Sequence, residues 1–412
     1  MKKLNLILTA ILLCTATIFA RVDINEANFP CENFRNWLLE QDFGSKGYIT
    51  NAEINTITEI NVHRQNISDL TGIKFFVNLE RLDCSYNSLT SLNVSGLIWL
   101  RKLYCENNQL ISLNVSGLIR LRELYCGNNQ LTSLDVSSLT NLRILSCRNN
   151  QLTSLDVSNL INLRTLNCSN NQLTSLDVSN LTDLRNLNCS NNQLTSLDVS
   201  NLINLRSLDC SNNQLTSLNV SNLTNLEFLI CNNNQLTSLD VSNLINLWTL
   251  NCSDNQLTSL NVSSLINLNR LFCSNNQLTS LDVSDLTNLV SLNCNNNQLT
   301  SFDLTGLNRL RDFRGVNQTP TLTLTHRKNN YSIDVELNNP TNLADGLSYT
   351  ERKCGFFSRL FRRNLPATVG TLTSTSNEIT TSPFTVETGN PRFTLSGTLH
   401  LKYESRNQDV ED

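Results

Sequence analysis

The chain holds three histidines (His63, His326 and His400), one methionine and six prolines, and only 6% of its residues are aromatic. None of the histidines sits in a nucleophile, metal or phosphate-loop pattern, so no catalytic constellation is legible and no enzyme activity is expected. There is no CxxC pair among the 14 cysteines, which argues against a zinc site; no metal and no cofactor is expected. A basic excess is also missing. The formal net charge is −4, which speaks against nucleic acid as a partner. After residue 20 no apolar run reaches the length of a membrane span, so no transmembrane segment is expected.

What the chain does have begins with "MKKLNLILTAILLCTATIFARVD". Two lysines, a short apolar run and Ala20 before a polar stretch have the pattern of a cleaved secretory signal over residues 1–20. A lipoprotein reading through Cys14 is disfavoured, because the preceding "ILL" offers no small residue. Losing Lys2 and Lys3 with that leader moves the charge from −4 to −6. The expected product is secreted or held at the cell surface.

Eleven cysteines then recur in strict 21-residue register, Cys84, Cys105, Cys126 and so on to Cys294, with His63 one step before and Gly315 one step after. A fixed period of this size means stacked coils, each burying an apolar face on its neighbours. In "LRSLDC" (205–210), alternation sends Leu208 and Cys210 inward and Ser207 and Asp209 outward. "LTSLDVS" repeats the alternation, so each coil is expected to hold two short extended segments. A free cysteine packs as a small hydrophobe, and an odd number in one buried row argues for reduced core residues over paired disulfides. The asparagine three residues after each cysteine, Asn87 through Asn297, is expected to serve backbone partners at a turn. The many N-x-S/T triplets follow from the repeat itself and are treated as incidental.

The pattern L-x-x-L-x-C-x-x-N-x-L resembles the leucine-rich repeat, with cysteine in place of its third leucine. Its 21-residue form with "LTSLDVS" looks like a short bacterial class, and "NISDLTGIKFFVNLERL" (66–82) is similar to the entry repeats of internalin-like surface proteins. The resemblance covers residues 60–318, about twelve coils, and implies a mainly β leucine-rich-repeat solenoid that engages a protein or glycan ligand. A structural spacer is the alternative.

Both ends differ. "NFRNWLLEQDFGSKGYITNAEI" (33–54) combines a helical stretch with a loop similar to an EF-hand, and residues 21–59 are expected to form a small helical cap. Gly44 and Lys46 stand where two oxygen ligands are needed, so tight calcium binding is not expected and Lys46 supplies the missing positive charge. Residues 319–412, rich in alternating Thr and Ser, read as a small β domain; within them "ERKCGFFSRLFRR" (351–363) reads as a surface insertion, with an anionic surface as the sharper alternative.

Candidate ligand contacts are the places where outward positions depart from the consensus. Alternation puts those positions three residues before, one before and one after each cysteine, and in the middle coils they are small and polar. One departure carries Lys102, Tyr104, Glu106, Glu123, Tyr125 and Arg148. The other carries Phe228, Ile230, Arg270 and Phe272, with Trp248 on the flank. Binding and mutual shielding both remain open for each. A row of six arginines, Arg101 to Arg206, also needs anions, from a polyanionic glycan or from the aspartate row Asp135, Asp156, Asp177 and Asp198.

Overall fold

The computed structural model describes residues 21–299 and most of 301–318; beyond these it describes only strand backbones between residues 321 and 402. The leader, the insert 351–363, Cys14 and Cys354 lie outside the described residues. By internal contacts the chain divides into two units, Met1–Leu194 and Thr195–Asp412.

The first unit opens with strand Arg21–Asp23 antiparallel to Tyr48–Thr50 and a helix over Glu32–Glu40 between them. Phe34 and Leu38 point inward from that helix, and the Phe34 ring meets Phe29 edge-on at 5.6 Å. In the EF-hand-like loop Lys46 supplies the positive charge. Lys46 Nζ lies 2.5 Å from Glu53 Oε1, and Glu53 Oε2 accepts from the Thr50 N–H at 2.9 Å and hydroxyl at 2.7 Å. The carboxylate of the last loop position is thus occupied by an ammonium and a helix cap, and those contacts pull the Glu53 carboxyl down to about 2. Among the described residues no three His, Cys, Asp or Glu side chains gather as a metal site.

Parallel strands of three residues follow, one per coil. In the first unit they run from Glu59–Asn61 and Arg81–Asp83 to Asn186–Asn188; in the second, from Ser207–Asp209 to Asp312–Arg314. Each of these repeats is parallel β-solenoid, with pairing such as Leu103↔Leu124 and Leu229↔Leu250 advancing one period per strand. The middle leucine of each strand is buried, and the cysteine behind it is fully buried from Cys84 to Cys294. All eleven are free thiols. Burial pushes Cys84 and nine of its equivalents above the ordinary thiol range, Cys147 and Cys252 to about 12, which makes them inert.

The asparagine row does what its position predicted. Asn171 Nδ2 donates to the carbonyls of Cys147 at 3.1 Å and Cys168 at 3.0 Å, while its Oδ1 accepts from Leu152 N–H at 3.0 Å. One buried amide therefore stitches two coils at the turn. At the end of the row Gln318 takes over, donating to Cys294 O at 2.8 Å and accepting from Leu299 N–H. The residue before each of these asparagines adopts left-handed φ near +54°, for example Asn170 and Asn191, a conformation asparagine tolerates better than most residues.

Two expectations fail. The second half of the coil forms no strand in the middle repeats; Asn93↔Asn114 is an isolated bridge. Instead of pairing, Asp135 Oδ1 accepts from Ser137 N–H at 3.0 Å and its hydroxyl at 2.7 Å, and Asp156, Asp177 and Asp198 repeat this. The residue after the cysteine is also not outward where it is a serine, whereas Glu106 and Arg148 at that position stay half-buried. Ser169, Ser190 and Ser211 are buried, with hydroxyls donating to Asn167, Asn188 and Asp209, because the chain turns directly after the cysteine.

Candidate recognition surface

In the first unit, Tyr104 and Tyr125 stand opposite one another on neighbouring strands, as do Lys102 and Glu123. The tyrosine rings stack at 5.0 Å with 15° between their planes. Tyr104 donates its hydroxyl to Glu123 Oε2 at 2.8 Å, and Lys102 Nζ lies 2.9 Å from Glu123 Oε1. Arg81 covers the Tyr104 ring at 5.0 Å and pairs with Glu59. Burial, followed by the bond to Glu123, pushes Tyr104 up to about 12. For Glu123 burial works upward, but the bonds from Lys102 and Tyr104 outweigh it and hold the carboxyl below its usual range. Arg148 does not join this network: its side chain lies along the neighbouring coil, where Gly127 leaves room that a Cβ would fill to within 2.9 Å of Arg148 Cγ.

The second unit brings Phe228, Trp248 and Arg270 together. The Phe228 and Trp248 rings meet at 5.8 Å and 69°, and the Arg270 guanidinium lies 5.0 Å over the indole. Phe228 remains 37% and Trp248 38% exposed. Ile230 and Phe272 are half-buried on a separate row, with Asn251 between them in register. Thr249, between Phe228 and Arg270 on the strands, is 7% exposed and its hydroxyl has no hydrogen-bond partner.

Beside these rings runs an open groove of about 770 Å³, lined by Trp248, Phe228, Glu227, Arg206, Arg309 and a series of asparagines. Reading the sequence for departures from consensus missed this groove, because one side of it is a row of consensus asparagines, Asn225, Asn246, Asn267 and Asn288. A signal existed. Four residues before the cysteine, arginine occupies six successive coils from Arg101 to Arg206, and then Glu227, Trp248, Asn269 and Val290 follow. The groove lies where the arginines stop.

The arginine row itself has a mixed fate. Arg101 pairs with Glu80 at 3.3 Å and Arg206 with Glu227 at 3.1 Å. Among the described residues, Arg122, Arg143, Arg164 and Arg185 make no ion pair, and the aspartate row holds its own serines.

Leucine-rich repeats (two copies) match this chain over residues 119–161, 161–203, 203–246 and 266–309. These coils are leucine-rich repeats. The chain's repeats are internalin-like: over 74 residues it is 36% identical to internalin J of Listeria monocytogenes, a match that spans 16% of this chain and 8% of that protein. The solved functional domain of that internalin, which includes a cysteine ladder, superposes with a TM-score of 0.68 at 26% identity, covering 93% of this chain and 99% of the other. A second Listeria internalin, InlF, gives 0.57 at 28% identity over 70% and 95% of the two chains. A leucine-rich-repeat protein of Leptospira interrogans gives 0.59 at 29% identity, over 66% and 75%.

Proposed function

We propose that this is an exported recognition protein that captures a protein or glycan partner through its repeat surface, with the Phe228–Trp248–Arg270 cluster as the main contact. The observation that carries this reading is the pair of exposed rings beside an open groove, on a solenoid whose middle coils present small polar residues. Large aromatic area at low entropic cost is what binding sites use. Likeness to internalins supports protein interaction and a place outside the cell. Under this reading residues 1–20 are the leader, 21–59 the cap, 60–318 the binding scaffold and 319–412 a separate β module.

A spacer reading has one observation in its favour. The tyrosine cluster is satisfied by its own partners, and outward residues such as Thr165, Asn167 and Ser207 offer little to grip. The two readings part in a capture experiment with the purified chain, using surface-protein extracts and arrayed glycans. Capture that is lost in Trp248→Ala with Phe228→Ser, and kept in Tyr104→Ser with Tyr125→Ser, supports recognition at the second cluster. Absence of any capture leaves the spacer reading standing.

A further inference from the structure

The groove beside Trp248 has a chemistry specific enough to name a ligand class, and this step rests on the recognition reading above. Its charges are already engaged. Arg206 holds Glu227 at 3.1 Å, Arg309 Nη1 donates to Asn288 Oδ1 at 2.9 Å, and Arg270, outside the lining, lies on the indole. A cation would find the one lining carboxylate taken, and an anion would meet no guanidinium without a partner, though Arg309 keeps N–H donors to spare, which is why a charged comparator belongs in the test.

What remains free is a line of acceptors. Asn225, Asn246 and Asn267 each donate Nδ2 at 2.9 Å to a carbonyl of the preceding coil, those of Ile203, Thr224 and Ile245. Those bonds fix three amides, one per coil, about 4.8 Å apart as strand stacking requires. Their Oδ1 atoms have no donor among the described residues. Rigid, neutral acceptors at regular spacing, beside two exposed rings in an open cleft, suit a ligand that is rich in hydroxyl donors, has apolar C–H faces and repeats at a similar interval. Extended peptides fit less well, because their backbone offers alternating donors and acceptors and no flat face for the indole.

We infer that this groove binds a neutral oligosaccharide chain. One pyranose packs its C–H face on Trp248 and Phe228, and neighbouring rings donate hydroxyls to Oδ1 of Asn225, Asn246 and Asn267. A β-linked pyranose chain advances close to one strand spacing per ring, so successive sugars meet successive coils.

The test titrates the purified chain with β-1,4-linked hexamers of glucose and of N-acetylglucosamine, and with a sulfated glycan as charged comparator. Calorimetry is run at two salt concentrations, and saturation-transfer NMR reports which sugar protons touch the protein. The expected result is saturable binding of a neutral hexamer, insensitive to salt, weakened at least about tenfold by Trp248→Ala and less by Trp248→Phe, and unchanged in Tyr104→Ser. The Phe variant keeps an aromatic surface, so it separates loss of stacking from loss of fold. No binding of either neutral hexamer overturns the inference. So does binding that survives Trp248→Ala, or binding of the sulfated glycan alone with steep salt dependence. Groove substitutions that abolish capture of a protein partner while no sugar binds leave recognition intact and remove the saccharide.

Discussion

Tyr104 in the first unit is half-buried and Trp248 in the second is exposed, both on outward positions of their coils, and the polar atoms around them differ. Around Tyr104 every strong group has found a partner: the hydroxyl is on Glu123, Glu123 is also on Lys102, and the ring lies between Tyr125 and Arg81. Around Trp248 the cations are engaged too, but the asparagine oxygens are not, and ring surface remains open beside a groove. Aromatic content therefore does not distinguish a site from a surface that stabilises itself. The state of the neighbouring polar atoms does.

This contrast holds only if the scaffold beneath both clusters is the same, and the largest expected effect tests that. Asn129 bridges the carbonyls of Cys105 and Cys126 and accepts from Leu110 N–H; Asn234 does the same for Cys210, Cys231 and Leu215. Asn129→Ala and Asn234→Ala each leave one buried N–H, of Leu110 or Leu215, without its acceptor, and each removes one of the two amides on a pair of cysteine carbonyls, which keep Asn108 and Asn150 or Asn213 and Asn255. Both are expected to lose about 3 kcal/mol in urea unfolding. Clearly unequal losses would mean that the units differ in their frames, and the difference between the clusters would need a backbone explanation.

A smaller effect separates the clusters themselves. Tyr104→Phe removes the donor to Glu123 and is expected to cost about 0.5–1 kcal/mol, since the pair is partly exposed and screened. Its pH dependence has a definite sign. Glu123 is held below the ordinary carboxylate range, so its contribution is fully present above that range and is lost as pH falls through the folded value. The urea midpoint of the parent should therefore drop on acidification more than that of Tyr104→Phe. Trp248→Phe should follow the parent curve. A parallel drop in Tyr104→Phe would remove the tyrosine network as the cause.

The sequence made some of this legible for physical reasons. A period of 21 with leucine, cysteine and asparagine in fixed phase admits few arrangements, and the cysteine slot and amide row sit where they were expected. Lys46 on Glu53 followed from a cation in place of a ligand. Three features escaped. Asp135 and its equivalents look like outward strand residues, and they bind the backbone two residues on in a segment that joins no ladder. Ser169 follows the alternation on paper, but the chain has already turned. The groove was missed because Asn246 and its neighbours are consensus residues, each with one atom used and one spare, and pattern reading counts residues and not atoms.

The smallest expected effect bears on how tightly the second cluster is closed. Thr249 is 7% exposed between Phe228 and Arg270, and its hydroxyl lacks a partner. An unpartnered buried hydroxyl costs stability, so the near-isosteric Thr249→Val should be neutral or stabilising by up to about 1 kcal/mol. Binding at the groove should not change, because Thr249 is not among its lining residues. A stabilised variant with unaltered binding would show that Phe228 and Arg270 shield the strand while the groove beside them stays open, so that shielding and binding coexist in one cluster. A destabilised variant would mean that the hydroxyl is hydrogen-bonded in solution and that the side chains above it stand apart. The second cluster would then be open on both sides, and the contrast with the tyrosine network would be larger still.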